Sequence, residues 1–219
     1  MVEVSTSILN IKEEEAMQSF YNLEVAKTDY YHIDVMDGTF VSNNTSERMY
    51  SYANSIKQIS NVPLDVHLMV SDVKAYIDQY LPLKPHFITI HYEACKDKKE
   101  VKEMLEYIKQ NEIQCGLSIK PATKLEEIYE FLPYISLILV MTVEPGKGGQ
   151  KLIPETLEKI KKLKEYIYQN NYETYIEADG GINAENSSEL QDAGVDIIVA
   201  GSSIINSDDY KKAISNLKK

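Results

Sequence analysis

Short runs of apolar, β-branched residues recur along the chain, separated by segments whose apolar positions fall three and four apart. The runs at 2–8, 30–36, 63–69, 86–91, 113–119, 135–142, 173–179 and 195–200 have the length and composition of buried strands. Between them, the pattern predicts helices most clearly at 98–110, with Val101, Met104, Leu105 and Ile108 on one face, and at 154–169, with Leu157, Ile160, Leu163 and Ile167. Pro154 suits the first turn of the second. Weaker patterns of the same kind occupy 12–24, 47–59, 72–80, 124–131, 185–192 and 208–217, and Ser207 is placed to cap the last of these.

Alternation of strand and helix implies a parallel sheet. Eight strands at about 27 residues per strand–helix pair imply closure into a (β/α)8 TIM barrel, an α/β fold, and leave no room for a second domain or a long linker. The expectation is therefore one catalytic domain over residues 1–219, with an open, doubly wound sheet as the alternative.

In such a barrel the chemistry gathers at the C-terminal ends of the strands. In "YHIDVMDG" the residues His32, Asp34 and Met36 are spaced by two and share a face, as do Asp65, His67 and Met69 in "PLDVHLMV" and Glu177 and Asp179 in "TYIEADGG". His32, Asp34, His67 and Asp179 could converge as a site of two nitrogens and two carboxylates, which suits zinc, iron, manganese or cobalt better than calcium or magnesium. Taken singly, each also reads as a satisfied polar residue at a strand end.

Glycines form a second group: Gly146, Gly148 and Gly149 after the sixth strand, Gly180 and Gly181 after the seventh, and Gly201 with Ser202 and Ser203 after the eighth. Loops in these positions often hold phosphate through backbone N–H groups, although ordinary tight turns also use glycine. The stretch "MTVEPGKGGQ" is not a nucleotide-binding loop, because no glycine stands five positions before Gly146 and Gly148 replaces the required hydroxyl. Lys147 then adds an accessory charge to a backbone cradle, or is a solvated loop lysine.

A net charge of -11 and a pI near 4.9 argue against nucleic acid and anionic membranes as partners. They also mean that an anionic substrate must be held by a local site against the overall field. The two cysteines, Cys95 and Cys115, lack metal-ligand spacing and read as reduced thiols. The first residues carry no signal-peptide pattern, and no apolar run approaches the roughly 20 residues of a membrane span. A soluble, cytoplasmic protein is expected.

With these residues placed, the chain resembles the ribulose-phosphate 3-epimerase family from about residue 5 to residue 212. The motifs that carry the resemblance are "SIL" (7–9), "HIDVMDGTFVSN" (32–43), "DVHLMV" (65–70), "HYEA" (91–94), "GLSIKP" (116–121), "VMTVEPGKGGQ" (140–150), "EADGGI" (177–182) and "VAGSSI" (199–204). The resemblance implies one divalent metal ion per subunit (zinc, iron, manganese or cobalt) held by His32, Asp34, His67 and Asp179, with Asp34 and Asp179 as the acid/base pair. It implies substrate contacts from Ser7, His67, Asp179, Gly146, Lys147, Gly148, Gly149, Gly180, Gly181, Gly201 and Ser202, and places Met36, Met69 and Met141 around the reacting centre. The implied activity interconverts D-ribulose 5-phosphate and D-xylulose 5-phosphate in the pentose phosphate pathway, in a homo-oligomer whose partner is the sugar phosphate alone.

Three departures are visible. Lys147 replaces an aromatic residue usual in the glycine loop, Ser42 replaces a proline, and "NNTSERMYSY" (43–52) lacks a usual Gly-Pro. None touches an acid/base or metal position. They leave open a 3-epimerase of a hexulose 6-phosphate, and a barrel that binds sugar phosphate without catalysis is the reading of another class.

Overall fold

Every apolar run of the sequence becomes a strand, and the strands pair in chain order. The computed structural model describes residues 2–219. Strands β1 (Glu3–Ser7), β2 (Tyr30–Met36), β3 (Leu64–Met69), β4 (Phe87–His91), β5 (Gln114–Ile119), β6 (Leu137–Met141), β7 (Tyr175–Asp179) and β8 (Ile197–Ala200) close into one barrel in which β8 returns to β1. All eight pairings are parallel. The fold is a (β/α)8 TIM barrel.

The alternation of side chains along each strand divides the buried residues into two sets. Outward-facing Val4, Ile33, Val35, Val66, Leu68, Ile88, Ile90, Leu117, Ile138, Val140, Ile176 and Ile198 join the apolar faces of the surrounding helices in one continuous core. The inward set is mixed. Phe87, Leu137, Leu139, Met141 and Ile197 form a separate apolar cluster, whereas Ser5, Ser7, His32, Asp34, Asp65, His67 and Glu177 are buried polar or charged residues. Burying so many ionisable groups is costly unless each finds a partner or an ion, and this half of the interior is where function is to be sought.

The helices are α1 (Ala16–Val25), α2 (Ser46–Ile59), α3 (Val73–Tyr80), α4 (Lys98–Gln110), α5 (Glu155–Gln169), α6 (Ser187–Ala193), α7 (Ser202–Ile205) and α8 (Tyr210–Leu217). Helix α4 matches its expected bounds: Val101, Leu105 and Ile108 of its apolar face are buried, and the Asp97 side chain, which the apolar pattern does not single out, caps its start by accepting from Glu100 N at 2.9 Å. Where 12–24 is expected to be helical, a 3-10 turn at Glu13–Glu15 leads into α1.

Two expectations need correction. Residues 124–131 are not an α-helix but lie in two 3-10 turns, Leu125–Glu127 and Tyr129–Tyr134. Pro133 lies inside the second turn; it has no N–H to give and disfavours the α conformation in the residue before it. Ser207 is not the cap of the last helix. That place is taken by Asp209, whose side chain accepts from Lys212 N at 2.9 Å, while the Ser207 hydroxyl is used in the preceding turn. The short α7 is a feature that the periodicity does not foresee.

Candidate active site

The register of β2 against β3 builds the floor of the site. His32 lies beside Asp65, Asp34 beside His67, and Met36 beside Met69. On the other side of the barrel opening, Asp179 is the last residue of β7 and lies beside Met141 of β6. The inward parity of these strands brings His32, Asp34, His67 and Asp179 together, with one ligand-capable atom of each within 4.8 Å of all the others.

The contacts are specific to particular atoms. His32 Nε2 lies 3.4 Å from Asp34 Oδ1 and 3.9 Å from Asp179 Oδ2, and His67 Nδ1 lies 3.5 and 3.6 Å from the same two oxygens. Four ligands at zinc-like bond lengths occupy tetrahedral corners about 3.4 Å apart, so the cluster is only slightly wider than a closed coordination sphere. Both ring nitrogens that face this point are buried and lack a hydrogen-bond partner. Two orphaned nitrogens and two carboxylate oxygens converging on one point fit a divalent cation.

A second ring of contacts holds these side chains. Ser7 donates to Asp34 Oδ2 at 2.7 Å, leaving Oδ1 to face the histidines. His32 Nδ1 is 2.6 Å from Asp65 Oδ2, which also accepts from the Ser5 hydroxyl at 2.8 Å. His67 Nε2 is 2.9 Å from His91 Nε2, and His91 Nδ1 is 3.1 Å from Glu93 Oε2. Glu177, fully buried, lies across the interior from Asp65. The period-two pattern shows that Asp65 and Glu177 point inward, each two residues before a candidate ligand, but gives neither a role. His91 and Glu93 carry no such signal.

The electrostatics separate the two central carboxylates. Burial alone would raise the Asp34 carboxyl, but His32 and His67 outweigh it and hold Asp34 well below the usual carboxylate range. Burial and the neighbouring Asp34 charge instead push Asp179 up to about 6. Burial would depress His32, yet the Asp65 and Asp34 carboxylates raise it well above its ordinary value. Deeper in the barrel, burial and then Asp65 raise Glu177 well above the usual range, which favours its neutral form.

Above this floor one cavity is lined by Ser7, Asp34, Asp179, the three methionines Met36, Met69 and Met141, and the glycine loops. Gly146, Gly148, Gly149, Gly180, Gly181, Gly201 and Ser202 all reach it. Some of these glycines are also demanded by chain packing. Gly181 has φ +68°, and a Cβ there would lie 2.4 Å from Leu152 N; only glycine fits whatever the cavity holds. Gly149, by contrast, has φ +74° with nothing near the place of its absent Cβ. Lys147 lines the mouth of the cavity with an exposed side chain.

The departing stretch 43–52 is mostly helix, since α2 begins at Ser46. What remains is a tight turn closed by an Asp37–Asn44 bridge. From it Asn43 Nδ2 donates to the carbonyl of Gly146 at 2.6 Å, tying the loop after β2 to the glycine loop after β6.

Residues 3–205 match the Ribulose-phosphate 3 epimerase family. Ribulose-phosphate 3-epimerase of Helicobacter pylori strain J99 is 42% identical over 194 residues, covering 89% of this chain and 87% of that protein. The enzyme of the same description from Methanocaldococcus jannaschii is 37% identical over 218 residues, covering 100% of this chain and 90% of that one. Among solved structures, 3-hexulose-6-phosphate synthase from Salmonella typhimurium superposes with a TM-score of 0.73 over 99% of this chain and 96% of that one, at 14% identity, a likeness of fold alone. The family match over nearly the whole chain, the two relatives, and the convergence of both histidines and both aspartates on one point lead to a single conclusion: this chain belongs to the ribulose-phosphate 3-epimerase family, enzymes of the isomerase class.

Proposed function

We propose that the chain interconverts D-ribulose 5-phosphate and D-xylulose 5-phosphate by inverting C3, with Asp34 and Asp179 as the two proton-transfer groups and residues 1–219 acting as one catalytic unit. The observation that carries this reading is that two carboxylates from strands three places apart around the barrel meet the same two imidazole nitrogens at 3.4–3.9 Å, beneath one cavity.

His32, Asp34, His67 and Asp179 would hold a divalent ion, and their nitrogen and carboxylate donors suit zinc, iron, manganese or cobalt. Such an ion supplies a Lewis acid that stabilises negative charge on the oxygens next to the reacting carbon. Inversion needs a proton removed from one face of C3 and another delivered to the opposite face. Asp34 and Asp179 approach from different strands and serve one face each, exchanging roles in the reverse direction. Ser7 orients Asp34 through its 2.7 Å hydrogen bond and is close enough to the cavity to meet the substrate. Met36, Met69 and Met141 give an apolar wall that excludes water and carries no exchangeable proton.

The phosphate lies against the backbone of Gly146, Gly148, Gly149, Gly180, Gly181, Gly201 and Ser202, with Lys147 as an accessory charge at the mouth. Binding energy from this remote group then orients the sugar. No nucleic acid or membrane partner is invoked, in keeping with a net charge of -11 and with no helix among the described residues being long and apolar enough to cross a membrane. A cytoplasmic homo-oligomer is the natural form; the exposed Met17, Tyr21 and Val25, four residues apart on α1, offer it an apolar contact.

The test is epimerisation of D-ribulose 5-phosphate in deuterated water by protein stripped of metal and then given iron(II), zinc, manganese or cobalt. Metal-restored conversion with deuterium at C3 is expected. Absence of conversion with all four would overturn the assignment.

A further inference from the structure

Resting on the four-ligand reading above, we propose that His91 and Glu93 form a hydrogen-bonded relay that fixes His67 in its metal-ready tautomer, so that Glu93 is a positioning residue for a ligand it does not touch. His67 and His91 meet through their Nε2 atoms at 2.9 Å, and two neutral imidazoles can pair this way with the proton on either one. The ends of the chain of contacts decide which.

At the far end, Glu93 Oε1 already accepts from Lys120 N at 2.8 Å and from the Thr123 hydroxyl. Its other oxygen, Oε2, faces His91 Nδ1 at 3.1 Å. A carboxylate can only accept, so His91 must carry its proton on Nδ1 and present a bare Nε2 to His67. His67 must then carry its own proton on Nε2, which leaves Nδ1 with a free lone pair. That is the buried, unpartnered nitrogen facing Asp34 and Asp179. The opposite polarity would set a bare His91 nitrogen against the Glu93 carboxylate. Glu93 therefore selects the coordinating tautomer of His67 before any ion arrives.

The two histidine ligands are thus backed unequally. His32 meets a carboxylate directly, Asp65 at 2.6 Å inside the barrel. His67 is backed through an intervening ring, by a carboxylate anchored between the turn after β4 and the loop after β5. His91 is completely buried, and the Phe40 ring lies over it at 4.9 Å. Outer contacts of this kind set the orientation and basicity of a ligand, and their loss costs about 10- to 100-fold in metal affinity.

The experiment titrates the metal-stripped full chain with Co2+, following visible absorption and competition with a chelator. Wild type is compared with Glu93→Gln, His91→Phe, the double variant and His67→Ala, with far-UV circular dichroism of each. Glu93→Gln and His91→Phe should each weaken Co2+ binding about 10- to 100-fold. The double variant should bind within about twofold of His91→Phe, because Glu93 acts only through His91.

Wild-type affinity in Glu93→Gln overturns the relay, as does a double variant in which the two single losses multiply. If His67→Ala keeps wild-type affinity, the four-ligand reading itself falls and takes the relay with it. If His67→Ala loses the metal while Glu93→Gln keeps it, only the relay falls. Should a variant fail to fold, the wild-type protein still decides: nitrogen-15 spectra of its histidines must show protonated Nε2 in His67 and protonated Nδ1 in His91, and the reverse tautomer in His91 refutes the proposal.

Discussion

Asp34 and Asp179 carry the sharpest test at the scale of single residues. Asp34 is buried with one oxygen committed to Ser7, and Asp179 sits at the barrel opening on β7. If each serves one face of C3, then replacing either by Asn should lower epimerisation turnover by about 1000-fold. The fold should persist, because Asn keeps the size and one acceptor oxygen. Solvent exchange should reveal the division of labour: each variant should wash deuterium into C3 of one epimer only, and the two variants should favour opposite epimers. A variant that still exchanges both epimers at the wild-type rate would contradict a two-carboxylate mechanism. These candidate ligands were legible in the sequence because strand parity sets His32, Asp34, His67 and Asp179 on the face opposite the apolar residues, within β2 and β3 and at the end of β7. The partnership of His67 with His91 was not legible, since it depends on two rings from adjacent strands meeting edge to edge, a distance that no spacing within one strand encodes.

At the scale of elements, the loops after β2 and β6, and those after β4 and β5, are fastened in pairs by the polar contacts of one side chain each, and each side chain makes a prediction. Asn43 ties the turn before α2 to the glycine loop through the Gly146 carbonyl. Asn43→Ala removes a hydrogen bond worth about 1 kcal/mol, so KM for the sugar phosphate should rise about fivefold while kcat changes less. A steady-state comparison that finds kcat reduced and KM untouched would place Asn43 in the chemistry instead. Glu93 joins the turn after β4 to the loop after β5, and its contacts make it a test of acid stability. Burial opposes its ionisation, but His91, Thr123 and the Lys120 N–H outweigh that and hold its carboxyl down to about 2, below the ordinary value of 4.5. A depressed folded-state pKa contributes stability that is fully present above the unfolded value and is lost as pH falls through the folded one. Glu93→Gln should therefore be about 2 kcal/mol less stable than wild type to urea at pH 7, with the gap closing as pH drops from about 4.5 towards about 2. A gap independent of pH would mean that the carboxylate charge is not what joins these loops. The elements themselves were readable where the apolar face was strong, as in α4, whose start is then fixed by the Asp97 cap that the structure shows. They differ from expectation at 124–131, where Leu125, Ile128 and Phe131 give a helix-like apolar spacing but the chain takes two 3-10 turns, the second of which contains Pro133.

The whole molecule separates the parts that make it fold from the parts that make it react. The continuous core lies between the barrel and its helices and uses none of His32, Asp34, His67 and Asp179, while these four candidate ligands crowd one end of the interior. Two consequences follow for metal removal. The stripped protein should keep its secondary structure, because the parallel ladder and the outer core do not depend on the ion. If His32, Asp34, His67 and Asp179 hold an ion as proposed, the stripped protein should nevertheless melt earlier, because an ion bound to the folded chain would relieve carboxylates and imidazoles packed within 3.4–3.9 Å of one another. At a free metal concentration 100 times Kd the folded state gains about 2.7 kcal/mol. For a chain of this size each kcal/mol moves Tm by about 2–4 °C, so Co2+ should raise Tm by about 5–10 °C with little change in far-UV circular dichroism. Calorimetry of the stripped and reloaded protein gives the answer. A stripped chain that is already unfolded at room temperature would mean that the ion is a structural element of the barrel, and an unchanged Tm would mean that the four side chains do not hold it.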